Sequence, residues 1–381
     1  MAPGGGRVKL LIVSNMAESL VNFRGPLIAS VLAAGHEVVA VAPEAQDPAI
    51  DALAAMGARY VRVPLARTGL APFADLRLLM GLIALIGRER PDAVLGYTVK
   101  PAVYAVIAAW VRRVPARVAL VTGLGYAFGT GDTRQRTVGR VVRRLYRLAA
   151  ACATAVVFQN PDDRDEFVAR RLVARAKTRT VAGSGIDLER FAASPAPTDG
   201  PVFLLVARLI REKGVEVFAD AARIVKGRHP DATFQVLGPF DRAPGAIDET
   251  TVQAWEREGS VTYLGETKDV RPYLAAASVF VLPSYYREGT PRTALEALAT
   301  GRAVVTSDAP GCRETVEEGV NGYLVPPRDP VALAERLLRF VADPASITRM
   351  GAASRALACR RFDVRLVNAD MREALGLGDA T

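Results

Sequence analysis

Val202-Phe-Leu-Leu-Val-Ala-Arg-Leu-Ile-Arg-Glu-Lys-Gly214 is the stretch that decides the fold of this chain. Its first six residues form the continuous apolar run of a parallel strand covered on both faces. Arg208 follows that run directly, and Lys213-Gly214 opens the helical segment beyond it. In open α/β sheets ligands settle past the carboxyl ends of the strands, where helix N-termini offer free N–H groups and positive dipole ends to anions. Both cations are therefore aimed at one place. A solvated basic turn has the same composition, and short motifs misfire often, so the stretch needs a partner.

Glu288-Gly-Thr-Pro-Arg-Thr-Ala-Leu-Glu296 supplies it. Thr290 suits an N-cap and Pro291 the first helical position, so a helix carrying Glu296 should start beside Glu288. Glu296 lies in the otherwise apolar Ala294-Leu-Glu-Ala-Leu-Ala299. A carboxylate there sits on a solvent-facing stripe or is hydrogen-bonded to something specific, because burying it unpaired is costly. Cations suit a diphosphate and carboxylates suit sugar hydroxyls. Together the two stretches point to a bound nucleotide sugar.

Outward from these motifs, apolar runs of strand length alternate with helical segments, the pattern of parallel sheets wrapped on both faces. Strands are expected at 8–14, 37–42, 93–96, 117–122 and 155–159, then at 202–207, 233–238, 261–264, 279–283, 303–307 and 323–325. A chain of 381 residues exceeds the size at which one core stops growing. The reading is an α/β protein with two Rossmann-like domains facing a cleft. Residues 1–191 form the first domain, the Pro- and Ala-rich 192–201 is the linker, and 202–360 form the second. The tail, 361–381, is expected to pack back towards the first domain.

Cys152, Cys312 and Cys359 show neither CxxC spacing nor the even count of a disulfide framework, which suits a reducing cytosol. No apolar run approaches the ~20 residues of a membrane span. The formal charge is +9, and six arginines (134, 136, 140, 143, 144 and 147) fall between Thr133 and Pro161 with no acid among them. In 138–148 the apolar residues recur at helical spacing with Arg140, Arg144 and Arg147 mainly opposite. Such a helix either docks on its own domain or rests on an anionic membrane surface, each cation contributing ~1 kcal/mol there. Nucleic acid is not expected as a partner, because no recognised module or aromatic platform accompanies the arginines.

The chain resembles family 4 glycosyltransferases of the two-domain GT-B fold, from Asn22-Phe-Arg-Gly-Pro26 through Phe158-Gln-Asn-Pro-Asp-Asp163 and Gly185-Ile-Asp187 to the two motifs above. The resemblance implies a metal-independent, cofactor-free enzyme that retains anomeric configuration. It implies that Arg208 and Lys213 hold the donor diphosphate, Glu288 the donor sugar and Glu296 the ribose hydroxyls, with Gly289 and Thr290 adding backbone N–H contacts. Ser184 and Asp187 either line the cleft or cap a turn.

Tyr97-Thr-Val-Lys-Pro-Ala-Val-Tyr104 and Val121-Thr-Gly-Leu-Gly-Tyr-Ala-Phe128 are similar to segments of the subgroup that extends saccharides carried on undecaprenyl diphosphate. That similarity makes Arg24, Lys100, Thr122 and Gly123 candidates for the acceptor side. It implies a peripheral enzyme on the cytoplasmic face of the membrane, moving an N-acetylhexosamine from a UDP-sugar to a lipid-linked saccharide, and an acceptor held in the membrane favours the membrane surface as the partner of the Arg134 to Arg147 segment. Many family members carry a histidine where this chain has Thr122-Gly123, and its two histidines, His36 and His229, lie in turns. That absence favours a donor phosphate oxygen as the base.

Other readings are weaker. Gly123-Leu-Gly-Tyr-Ala-Phe128 lacks the third glycine of a dinucleotide fingerprint, although Asp47 lies where a ribose acid belongs. Sugar-nucleotide 2-epimerases share the scaffold but depend on carboxylate and histidine chemistry that two turn histidines supply poorly. A non-catalytic, membrane-associated sugar-nucleotide binder would need Arg208 but not Glu288.

Overall fold

The computed structural model describes residues 6–65, 71–128, 133–197, 200–241 and 245–378. Two compact units make up the chain: Met1–Ser184 with Val364–Thr381, and Gly185–Asp363.

The first unit runs β1 (Lys9–Val13), α1 (Ala17–Ala33), β2 (Glu37–Ala42), α2 (Pro48–Ala55), β3 (Arg59–Arg62), α3 (Pro72–Glu89), β4 (Ala93–Tyr97) and α4 (Val99–Val111). It continues with β5 (Ala116–Val121), α5 (Thr133–Cys152), β6 (Ala155–Phe158), α6 (Pro161–Ala169) and β7 (Thr178–Thr180). Among the described residues its strands are all parallel, in the order β3-β2-β1-β4-β5-β6-β7. Side chains alternate across a strand. Leu10, Ile12, Val38 and Ala40 accordingly pack beneath α1 and α2, while Leu11, Val13, Val39 and Val41 pack against α3 and α4.

The second unit runs β8 (Val202–Val206), α7 (Val215–Lys226), β9 (Thr233–Leu237), α8 (Glu249–Arg257), β10 (Thr262–Tyr263) and α9 (Arg271–Ala276). There follow β11 (Val279–Leu282), α10 (Arg292–Thr300), β12 (Ala303–Ser307), β13 (Gly322–Val325), α11 (Pro330–Ala342) and α12 (Ala345–Leu357). Among the described residues its strands are parallel and ordered β10-β9-β8-β11-β12-β13. Both sheets reverse direction of growth beside their first strand, at β1/β4 and at β8/β11. In doubly wound sheets that switch point opens the crevice that holds ligands.

The segment read as a linker lies on the second unit. Arg302, fully buried, donates to the Ser194 carbonyl and hydroxyl and to Ala277 O at 3.0 Å. Ser278 Oγ donates to Pro197 O at 2.6 Å, and Arg355 donates to Phe191 O at 2.7 Å. Fixed by these bonds, residues 191–197 belong to the body of that unit, and the chain changes unit at Ser184/Gly185 and again at Asp363/Val364. Thr198 and Asp199 of the expected linker lie outside the described residues.

After the second crossing, α13 (Val364–Ala374) rejoins the first unit, adding Val367 and Met371 to the core beneath α1, and the turn after it adds Leu375 and Leu377. His36 takes part in this attachment. Its Nδ1 accepts from Val8 N at 3.3 Å and its Nε2 lies 3.0 Å from Gly378 O, so the tautomer that satisfies both carries its proton on Nε2. His229 is exposed in a turn after α7. Asp47 caps α2, accepting from Ala49 N at 2.8 Å.

Candidate functional site

Arg208 and Lys213 follow β8, and Glu288 follows β11, so the switch point of the second sheet brings all three to one crevice mouth. Backbone bonds join the two loops: Tyr285 N and Tyr286 N both donate to Glu212 O, at 2.8 and 3.0 Å. Three glycines permit close approaches that a side chain would forbid. A Cβ on Gly214 (φ +77°) would lie 2.1 Å from Pro283 O, one on Gly238 1.9 Å from Ala207 O, and one on Gly311 2.3 Å from Gly289 O. The loops after β8, β9, β11 and β12 are thereby locked against one another.

Each cation has a carboxylate partner. Arg208 Nη1 lies 2.5 Å from Asp241 Oδ2, and Lys213 Nζ pairs with Glu288 Oε1. The Lys213 side chain is 15% exposed and that of Glu288 11%, while Arg208 is about half open to solvent. Ser284 Oγ stands 3.1 Å from the same Glu288 oxygen, and the Lys213 ammonium sits 5.6 Å from the centre of the Tyr286 ring. The Cys312 thiol behind them is pushed up to about 12 by burial and then by the Glu288 charge, so it is an inert neighbour.

The helix bearing Glu296 starts one residue later than its sequence implies. Pro291 is the N-cap of α10 with no side-chain cap bond, and Thr290, buried, lies in the loop before it. Glu296, in the second turn, is 8% exposed and accepts from Arg292 Nε at 3.1 Å. Burial raises its carboxyl above the ordinary value of 4.5, against the pull of Arg292 and Arg190. Asp187 caps a turn, its Oδ1 accepting from the N–H groups of Glu189 and Arg190 at 2.9 Å. Ser184 is buried as the last residue of the first unit before the crossing.

The acceptor-side candidates all occupy the carboxyl edge of the first sheet. Arg24, buried in α1, places its guanidinium 5.2 Å from the Tyr97 ring at the end of β4. Lys100, in the first turn of α4, pairs with Asp75 of α3 at 2.7 Å. Thr122 and Gly123 follow β5, Gly123 at φ +120°. Helix α5 docks on its own unit through Val142, Tyr146, Ala149 and Ala150, with Val138 and Leu145 at the margin. Arg136, Arg140, Arg144 and Arg147 remain on its exposed side, whereas Leu148, read from the spacing as part of the apolar face, is 52% exposed. The side chain of Arg134 lies outside the described residues.

Sequence reasoning did not find Asp241, Ser284, Arg292 or Gly311. Asp241 was within reach, since Gly238-Pro-Phe-Asp241 follows a strand at the carboxyl edge as Arg208 does. Arg292, one turn before Glu296, was legible as an i,i+4 pair. Ser284 and Gly311 gain their roles only from loop contacts. Among the described residues no group of three or more His, Cys, Asp or Glu is arranged to hold a metal ion, and no helix is long and apolar enough to cross a membrane.

The description "Glycosyl transferase 4-like domain" matches residues 24–183, and "Glycosyl transferases group 1" matches residues 200–343. The chain belongs to the family 4 glycosyltransferases of GT-B fold. It is 27% identical over 349 residues to the N,N'-diacetylbacillosaminyl-diphospho-undecaprenol alpha-1,3-N-acetylgalactosaminyltransferase of Campylobacter jejuni, covering 88% of this chain and 90% of that one. To the UDP-Gal:alpha-D-GlcNAc-diphosphoundecaprenol alpha-1,3-galactosyltransferase of Escherichia coli it is 27% identical over 296 residues, 74% of each. Among solved structures, Anabaena HepE, determined in complex with UDP and glucose, superposes with a TM-score of 0.76 at 20% identity, over 97% of this chain and 99% of that one.

Proposed function

We propose that this glycosyltransferase moves a sugar, an N-acetylhexosamine, from a UDP-sugar to a saccharide carried on a polyprenyl diphosphate, with retention of anomeric configuration and without a metal ion, in the assembly of a surface polysaccharide or glycan. The observation that carries the proposal is the Lys213–Glu288 ion pair beside Arg208 at the β8/β11 switch point. Relatives named for transfer to undecaprenyl-diphosphate-linked sugars, and a neighbour of the same fold determined with UDP, support it.

In this reading the donor diphosphate displaces Asp241 from Arg208 and takes Lys213 as its second cation. Gly289 and Thr290 add backbone N–H groups, and Glu296 accepts from the ribose hydroxyls. Released from Lys213 in part, Glu288 accepts from the donor sugar's hydroxyls. The bond from the anomeric carbon to the diphosphate oxygen breaks, the acceptor oxygen attacks the same face, and its proton passes to a donor phosphate oxygen. What the protein supplies is charge: Arg208 and Lys213 stabilise the leaving UDP as negative charge gathers on it, the kind of preorganised electrostatics that dominates such steps. On the first unit, Arg24, Lys100, Thr122 and Gly123 are assigned to the acceptor, and the arginines of α5 to an anionic membrane surface on the cytoplasmic side.

Incubation with UDP-sugars and a short-chain polyprenyl-diphosphate saccharide tests this, with the product anomer read by NMR. An α-linked product is expected. A β-linked product removes retention, C2 inversion of the donor identifies a 2-epimerase, and binding without turnover identifies a non-catalytic sugar-nucleotide binder. Stabilisation by GDP-sugars but not UDP-sugars in a thermal-shift panel removes the UDP assignment.

A further inference from the structure

Helix α3 is apolar on two opposite faces. Leu78, Leu82, Leu85 and Ile86 are buried against the sheet and α4. On the other side Phe73, Leu76 and Met80 are 90%, 57% and 58% exposed. At 3.6 residues per turn these three fall within about 60° of one another, a stripe along the first three turns of the helix. Single exposed apolar residues are ordinary, but an aligned set of large ones marks an interaction surface.

Charge and position identify what covers it. A groove beside the stripe is lined by Arg62, Leu65, Ala74, Arg77 and Gly81 with Pro43, Val63 and Pro64, and among the described residues no carboxylate stands in its wall. Both arginines are exposed. Helices α3, α4 and α5 lie side by side on one face of the sheet, α4 touching both others. Each follows a parallel strand, so their N-termini share its carboxyl edge. The Asp75–Lys100 pair ties the first turn of α3 to that of α4 at this edge, next to the acceptor candidates.

We infer that the Phe73/Leu76/Met80 stripe inserts into the acyl region of an anionic bilayer while Arg62 and Arg77 take lipid phosphates. The inference rests on the proposed lipid-linked acceptor and deepens it. An insertion stripe at the edge that carries Lys100 holds that edge at headgroup depth, where the diphosphate of such an acceptor lies. The exposed arginines of α5 would attract the membrane from a distance, but charge alone leaves a protein on the surface, and buried apolar area fixes its depth.

The test uses the full-length protein and vesicles of phosphatidylglycerol and phosphatidylcholine. Combined Phe73→Ser, Leu76→Ser and Met80→Ser substitution is expected to lower partition into these vesicles by roughly a hundredfold, with an unchanged Tm because all three side chains are exposed. Arg77→Gln should lower it by roughly fivefold. In Phe73→Trp, emission should shift to the blue on vesicle addition and be quenched by brominated acyl chains, which adsorption by charge alone does not produce.

Equal partition of the triple variant, or indole emission from the Phe73→Trp protein that ignores the vesicles, overturns the inference. So does lipid-free self-association that the triple substitution abolishes, since the stripe would then be covered by a second copy. Transfer to a water-soluble short-chain acceptor should survive in the triple variant. Its absence from the unaltered protein sinks the proposed function and leaves the vesicle result standing, so the two failures are distinguishable.

Discussion

Replacing Lys213 by Ala removes the ammonium that pairs with Glu288 and leaves that carboxylate, 11% exposed, with the Ser284 hydroxyl 3.1 Å away. Breaking a fully buried pair costs about 3 to 5 kcal/mol. The residual exposure of both partners places this pair lower, at roughly 2 to 4 kcal/mol. For a unit the size of Gly185–Asp363 each kcal/mol moves Tm by about 2 to 4 °C, so a fall of roughly 4 to 16 °C is expected in calorimetry of the unliganded protein. Turnover should fall further than this explains. Loss of one preorganised donor to the developing charge costs about 10²- to 10³-fold, ~3 to 4 kcal/mol in the barrier, with a smaller rise in donor KM.

Adding Glu288→Gln separates the two effects. The double variant removes both charges of the pair, so its Tm should return towards the original while its turnover stays low. The reasoning is refuted if turnover recovers in step with Tm, because the pair would then be structural, or if Lys213→Ala turns over normally while folded.

Gly214→Ala should destabilise the second unit by roughly 2 to 4 kcal/mol in urea titration, because a left-handed residue and a contact of 2.1 Å with backbone leave nothing to yield; a change under about 1 kcal/mol would contradict this. Glu296→Gln should raise the Tm of the unliganded protein at neutral pH and weaken donor binding. Because burial lifts this carboxyl in the folded state, its ionisation opposes folding: the penalty is absent well below 4.5, the unfolded value, grows as pH rises towards the raised folded value, and is complete above it. A Tm gain that persists unchanged at low pH would disprove that assignment. Arg302→Met should cost roughly 2 to 4 kcal/mol and raise hydrogen exchange at 192–197, since it strands the Ser194 and Ala277 carbonyls; undiminished protection there would show that Ser278 and Arg355 hold the segment alone.

Where each strand is buried on both faces its sequence announces it, so Glu37–Ala42 and Ala303–Ser307 coincide with their apolar runs, and the other expected strands differ by a residue or two at the ends. The two strands that the runs do not reveal are β3, Arg59-Tyr-Val-Arg62, and β7, Thr178-Arg-Thr180. Both are edge strands with solvent on one side, and edge strands carry charge that conceals the pattern. The bonds that fix residues 191–197, in the segment read as a linker, are hidden for a related reason. Its composition is that of a flexible connector, while the bonds that fix it come from Arg302 and Arg355, distant in the chain.

By itself the sequence determined the two α/β units, the family, and the candidate cations and carboxylates, because each depends on local pattern: apolar runs, strand-to-helix turns and charges at fixed spacing. Only the tertiary structure decided that Lys213 is matched to Glu288 and Arg208 to Asp241, that Lys100 is held by Asp75, and that α3 presents a second apolar face. Those pairings join residues tens of positions apart, and which charges meet, or which apolar face stays open, is set by strand order and helix packing rather than by any property of the separate segments.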